Sequence, residues 1–128
     1  MEQRTGRLGY RREWGEILAN CINNAQKDDA NKLMWDLVPW DAMEDVVGVL
    51  NHGAVKYDYR NWENGMKWSR LFSAAMRHMV SWFQFREDKD KESGISHLSH
   101  AICCLLFILS YELRKSGEDD RPRIYDPI

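Results

Sequence analysis

The segment Ala101–Leu109, AICCLLFIL, constrains the fold more strongly than any other part of the chain. A run of this length is too short to span a bilayer, which takes about 20 apolar residues. As a helix it would be apolar on nearly every side, and such a helix belongs in the middle of a bundle or at a contact between subunits. Ser96 or Ser93 can start this helix, and the periodicity carries it to about Lys115, before Gly117.

Three further helices are expected. Trp14, Ile17, Leu18, Cys21 and Ile22 recur at three- and four-residue steps between Tyr10 and about Gln26. Asp41 with Glu44 three residues on reads as a capping box for a helix to about Lys56, with Met43, Val46, Val47 and Leu50 as its apolar stripe. Ser69 can cap a helix over 69–86 with Leu71, Phe72, Ala75, Met79, Trp82 and Phe83 on one side. Residues 32–38 are expected to be irregular, because Pro39 disfavours helix in the residue before it. Residues 57–67 read as a loop. No segment alternates at period two. The reading is an all-α bundle of about four helices in a single domain, 1–128, with a flexible 1–9 and an extended tail at 117–128.

A net charge of −2 argues against direct nucleic-acid binding, which needs a basic surface. It suits a small anionic substrate held by a few local cations. Three cysteines, two of them adjacent, make a poor disulfide framework, and Cys103 and Cys104 fit a core as small hydrophobes. A reducing cytoplasm is the expected compartment, with no membrane partner.

Three of the four histidines, His78, His97 and His100, lie in the stretch RHMVSWFQFREDKDKESGISHLSH, with Glu87, Asp88, Asp90 and Glu92 between them. His97 and His100 share a helix face. A hairpin through 87–94 would bring His78 beside them. Imidazole with carboxylate is a ligand set for a divalent ion, so His78, His97, His100, Glu87 and Asp90 are the metal candidates, and Glu87, Asp90 and His78 the catalytic ones. Carboxylates favour Mg²⁺, and imidazoles shift the preference toward Mn²⁺, Zn²⁺, Co²⁺ or Fe²⁺. Histidines also pack and cap inside bundles, and charged loop runs are ordinarily solvated. His52 is expected to matter less for metal than His97 or His100.

A second constellation, HGAVKYDYRNWENGMKWSR, runs from His52 to Arg70. Lys56 and Arg60, with Arg77 from the next helix, suit phosphate oxygens. Tyr57 and Trp62 offer faces to a base, and Asn61 can hydrogen-bond a base edge. The same residues suit a surface loop with aromatic anchors. A phosphate loop of the GxxxxGK type is absent from the sequence.

Three motifs carry a family resemblance. They are Leu37–Glu44 (LVPWDAME), Gly53–Arg70 (GAVKYDYRNWENGMKWSR) and Arg77–Phe107, within a similar core over 32–113. In these the chain resembles a phage-encoded family of dATP/dGTP diphosphohydrolases, related to the MazG-like all-α nucleoside triphosphate pyrophosphohydrolases. The resemblance implies a MazG-like bundle that forms a homodimer or higher oligomer, with sites at subunit contacts. It also implies metal-dependent hydrolysis of a purine deoxynucleoside triphosphate to monophosphate and pyrophosphate. In a phage protein this would take place in the host cytoplasm. The pattern departs from MazG-like enzymes at the metal carboxylates: His97-Leu98-Ser99-His100 stands where ExxD is expected, and Ala75 and His78 where ExxE is expected. A phosphohydrolase of HD type and a non-catalytic nucleotide-binding or host-interaction protein are the alternatives.

Overall fold

The computed structural model describes residues 25–124. The chain divides into two compact units, Met1–Trp35 and Asp36–Ile128. The expected helix over 10–26 and the expected flexible 1–9 fall almost wholly outside the described residues. The second unit is all-α. It holds helices α1 (Trp40–Tyr57), α2 (Trp68–Phe83) and α3 (His97–Arg114), with a 3-10 turn Asn61–Asn64 between α1 and α2. Another 3-10 turn, Trp35–Leu37, lies in the stretch expected to be irregular. Among the described residues, extended pairing is confined to the single bridges Lys67–Glu118 and Lys89–Ser96.

The apolar segment 101–109 lies in α3, which packs along both α2 and α1. Val46 and Val49 of α1 meet Cys103 of α3 in the core, with Leu50, Ile95 and Phe107 against them. Leu71 and Ala75 form the buried stripe of α2. This stripe is narrower than the sequence pattern implies. Val47, Phe72, Trp82 and Phe83 were expected inside and are exposed, while Val49 is buried in place of Val47. The three helices among the described residues of this unit leave some apolar faces without a partner helix.

The helix ends also differ from expectation. Pro39 occupies the N-cap of α1 without a side-chain cap, and Asp41 sits inside the first turn, bonding only the Ala42 amide at 2.7 Å. An acid there still favours the positive end of the helix dipole. Helix α2 starts one residue before Ser69, and its cap comes from the tail. Asp120 accepts from the Ser69 amide at 2.9 Å and from its hydroxyl at 2.5 Å. Ser96 caps α3 as expected, accepting from the Leu98 amide at 3.1 Å. At the far end Lys115 turns left-handed and the Ser116 amide donates to the Tyr111 carbonyl.

The tail from there to residue 124 forms no helix and is strapped across the start of α2. Trp68 donates its indole N–H to the Ser116 carbonyl at 3.0 Å and its amide to Glu118 at 2.9 Å. Fully buried Tyr111 donates to the Trp62 carbonyl at 2.5 Å and ties the 3-10 turn to α3. Gly117 closes this junction with φ +70°, and a Cβ there would lie 2.7 Å from the Met66 carbonyl oxygen. Gly117→Ala therefore combines left-handed strain with a backbone clash. It should lower stability by about 1–3 kcal/mol, read as a fall in the midpoint of thermal or urea unfolding.

Candidate metal and nucleotide site

The loop after α2 delivers a carboxylate to the histidines. Arg86 turns left-handed, and the chain folds back so that the Asp90 amide donates to Ile95 and the Gly94 amide to Asp90. Gly94 makes the tight return at φ +75°. The Asp90 carboxylate accepts from the Ser93 amide at 2.9 Å and the Glu92 amide at 3.1 Å, and these two bonds fix its direction. Asp88 uses its backbone instead, its carbonyl accepting from the His97 amide at 3.0 Å.

His78 of α2 and His97 of α3 meet at 2.8 Å between their Nδ1 atoms. One ring donates and the other accepts. His100 stacks on His78 with ring centroids 4.6 Å apart, and its Nε2 lies 2.6 Å from the Ser93 hydroxyl and 3.9 Å from Asp90. His78, Asp90 and His97 each present a ligand atom, all within 4.8 Å of one another. Glu87 approaches His97 Nε2 at 3.6 Å from behind, and His97 is only 6% exposed. Of the five metal candidates, three converge directly. His100 and Glu87 flank them, held by Ser93 and His97.

The donor set fits a divalent ion in kind. Two imidazoles on one tetrahedral ion at bond lengths of 2.0–2.1 Å stand about 3.3 Å apart. The His78–His97 pair would open by about half an ångström to admit one. A carboxylate placed as Glu87 is, behind His97, would orient a metal-binding imidazole.

His52 of α1 joins the group, contrary to its expected minor place. Its ring meets His100 edge-on with centroids 6.4 Å apart, and its Nε2 lies 3.6 Å from Glu92. Lys56 binds the same carboxylate at 2.8 Å. The missed signal is the phase of α1: with Val46 and Val49 inside, His52 and Lys56 follow at three- and four-residue steps on the adjoining face.

These residues edge a cleft of about 1240 Å³ bounded by α1, the 3-10 turn, α2 and α3. Lys56, Tyr57, Arg60, Asn61, Trp62 and Arg77, the six substrate candidates, all line it, together with His78, Asp90 and His100. Not all are equally available. Arg60 pairs with Glu63 at 2.7 Å, and Trp62 is stacked on Phe107 at 4.9 Å with the Arg114 guanidinium 5.0 Å from its ring. The Trp62 ring thus serves the fold. Arg77 and Arg70 line the cleft without an ion pair among the described residues. Arg70 is one of the cations of the His52–Arg70 motif but not one of the six substrate candidates. Cys104 lies in the cleft floor, and burial pushes the Cys103 thiol up to about 12, which leaves it an inert core residue.

Burial lowers the pKa of His78, and the neighbouring His100 and His97 lower it further. Burial also lowers His100, and the Asp90 charge only partly offsets it. Burial works to raise the Asp90 carboxyl, but the hydrogen bonds from Ser93 and the nearby His100 and His78 hold it below its ordinary value. At neutral pH His78 and His100 are therefore neutral beside an ionised Asp90, the protonation states that suit metal ligation.

Because both imidazoles titrate lower in the folded chain, the unfolded chain takes up protons first as pH falls. Their contribution is complete above the ordinary imidazole value of about 6.5 and is lost as pH drops through it. The melting temperature of the metal-free chain should fall between pH 7.5 and 5.5, and His78→Asn should shallow that slope. A flat profile across this range would show that the pair is not held neutral.

No solved structure matches the chain. A dATP/dGTP diphosphohydrolase of Salmonella phage PMBT28 is 35% identical over 95 residues, covering 74% of this chain and 32% of that protein. The chain thus spans about a third of the length of that relative. Residues 23–121 match the family described as dATP/dGTP diphosphohydrolase, N-terminal. With that match over most of its length, the chain belongs to the dATP/dGTP diphosphohydrolase N-terminal family.

Proposed function

We propose that the cleft binds a purine deoxynucleoside triphosphate, dATP or dGTP, beside a divalent ion, and hydrolyses it to the monophosphate and pyrophosphate. The carrying observation is that one cleft brings His78 and Asp90 together with Lys56, Arg60, Arg70 and Arg77. The name of the phage relative supports the substrate class. His78, Asp90 and His97 would hold the ion, Mn²⁺ or Mg²⁺ first and Zn²⁺, Co²⁺ or Fe²⁺ as alternatives. Bound there, the ion would supply a Lewis acid for phosphate oxygens.

The protein's own groups do the rest. Arg77 and Arg70, which have no ion pair among the described residues, are the first to meet phosphate oxygens, whereas Lys56 must share Glu92. Tyr57 and Asn61 are the groups left to receive the base. Asp90, ionised and facing the cleft, can accept a proton from an attacking water, and neutral His78, with its Nδ1 toward the ion, would carry its proton on Nε2 and could donate there to a phosphate oxygen. Glu87 acts behind His97 as an orienting carboxylate. The chain would work in the cytoplasm of a phage host as a homodimer or higher oligomer. No helix among the described residues is long and apolar enough to cross a membrane.

The three clustered histidines with one aspartate favour a second reading, an HD-type phosphohydrolase, in which tertiary contact replaces an adjacent His-Asp pair. Incubation with Mn²⁺ and dATP or dGTP, with products resolved by anion exchange, separates the readings. Monophosphate plus pyrophosphate is expected. Nucleoside plus triphosphate would favour the HD-type reaction, and intact substrate with every metal would leave a binding protein.

Two binding measurements accompany this. Calorimetric titration with Mn²⁺ should weaken at least tenfold in His78→Ala and His97→Ala, and His52→Ala should change it less. Arg77→Ala should weaken binding of a nonhydrolysable dATP or dGTP analogue about tenfold, the worth of one charged hydrogen bond, while Arg60→Ala should cost less. Equal loss in both arginine variants would contradict the assignment of Arg77 as the free phosphate contact.

A further inference from the structure

Helix α3 has four sides, of which two pack on α1 and α2 and a third lines the cleft. Ser99, Cys103 and Phe107 turn toward α1 and the core, where Ser99 donates to Asp45 at 3.2 Å. His97, Ala101 and Tyr111 are buried on the side of α2. His100, Cys104 and Ser110 look into the cleft. The remaining side carries Leu98, Ile102, Leu105, Leu109 and Leu113, all exposed, with Leu105 at 45% and Leu109 at 48%. From Leu98 to Leu109 the spacing of four, three and four residues is that of the a/d seam of helices that pack side by side, and Leu113 continues the stripe one turn further.

Helix α2 repeats the pattern. Phe72, Met76, Val80 and Phe83 are exposed, Phe72 at 57%, and their spacing puts them on one stripe. On α2, going round the axis, the cleft residues Arg70, Ser73 and Arg77 come first, the α3-facing Leu71 and Ala75 next, and this stripe last. The order on α3 is the same. In an antiparallel hairpin that shared order places both stripes on one face, opposite the cleft.

We infer that this face of the α2–α3 hairpin binds the same face of a second copy of the chain. The inference rests on the self-association proposed above and names its surface. Nine half-exposed apolar side chains present on the order of 800 Å², what one partner buries in a standard interface. That exceeds the patch of about 300–600 Å² typical of a monomer. Neither stripe contains a charged residue, so nothing in it selects a charged partner, and an uncharged apolar face complements itself across a two-fold axis. Two hairpins stacked this way form a four-helix layer with Ile102 and Leu105 near its centre. The two clefts then open outward on opposite sides, each complete within one chain. This differs from the shared site that the family resemblance implies.

Size exclusion with light scattering on the full chain, and on Ile102→Glu/Leu109→Glu, tests the inference. The unaltered chain should elute at twice the 15.2 kDa chain mass. The variant should elute at the chain mass, with its helical circular dichroism retained and Mn²⁺ binding per chain unchanged. A dimeric variant would overturn the surface while leaving self-association standing, and a monomeric unaltered chain would overturn both. Should the variant fail to fold, hydrogen exchange of the unaltered chain at rising concentration decides. Protection gained along 98–113 supports the interface, and none overturns it. Loss of Mn²⁺ binding in a folded monomeric variant would overturn the claim that each site is complete within one chain.

Discussion

Burial of α3 is the constraint from which the rest of this unit follows. The helix is apolar nearly all round, and it sits between α1 and α2 with its ends secured by Ser96 and by the Lys115–Gly117 turn. Because α1 and α2 lie against different sides of α3, a cleft opens between them with α3 as its floor. The position of that floor decides which side chains face one another. His97 and His100 stand at the start of α3, where the returning loop carries Asp90 toward His78.

The loop from Arg86 to Ser96 therefore does two things at once. It joins two helices in a hairpin, and it turns one of its acids inward. Asp90 is directed by the amides of Glu92 and Ser93, and Ser93 in turn holds His100. Glu92 reaches across to Lys56 and His52 on α1, so the same loop links both walls of the cleft. The Lys56 ammonium is raised above its ordinary value by Glu92, and Glu92 is held below its own by Lys56. Both groups are solvent-exposed, and the pair serves geometry more than stability.

Aromatic residues divide between fold and site in a way that residue type alone does not show. Trp62 stacks on Phe107 and accepts Tyr111 at its carbonyl, and Trp68 anchors the tail. Tyr57 and Tyr59 stay exposed beside Lys56 and Arg60. The tail completes α2 through Asp120, a cap fifty-one residues away in sequence that local pattern cannot reveal.

Helix periodicity, the HxxH spacing beside an acidic run, and the cation-rich motif were legible in the sequence, because each is local: period, spacing and residue chemistry survive without knowledge of the fold. They placed three helices within a few residues of their observed bounds and named six residues that line one cleft. What local pattern could not supply was phase and partnership. Whether Val47 or Val49 faces inward depends on the angle at which α1 meets α3, and that angle decides that His52 joins the histidines. Whether an arginine is free depends on which carboxylate lies near it, so Arg60 is engaged while Arg70 and Arg77 have no ion pair among the described residues. Which apolar stripe is left uncovered depends on how many helices the unit has to offer. Only the tertiary structure decides these, because each is set by contacts between residues far apart in the chain.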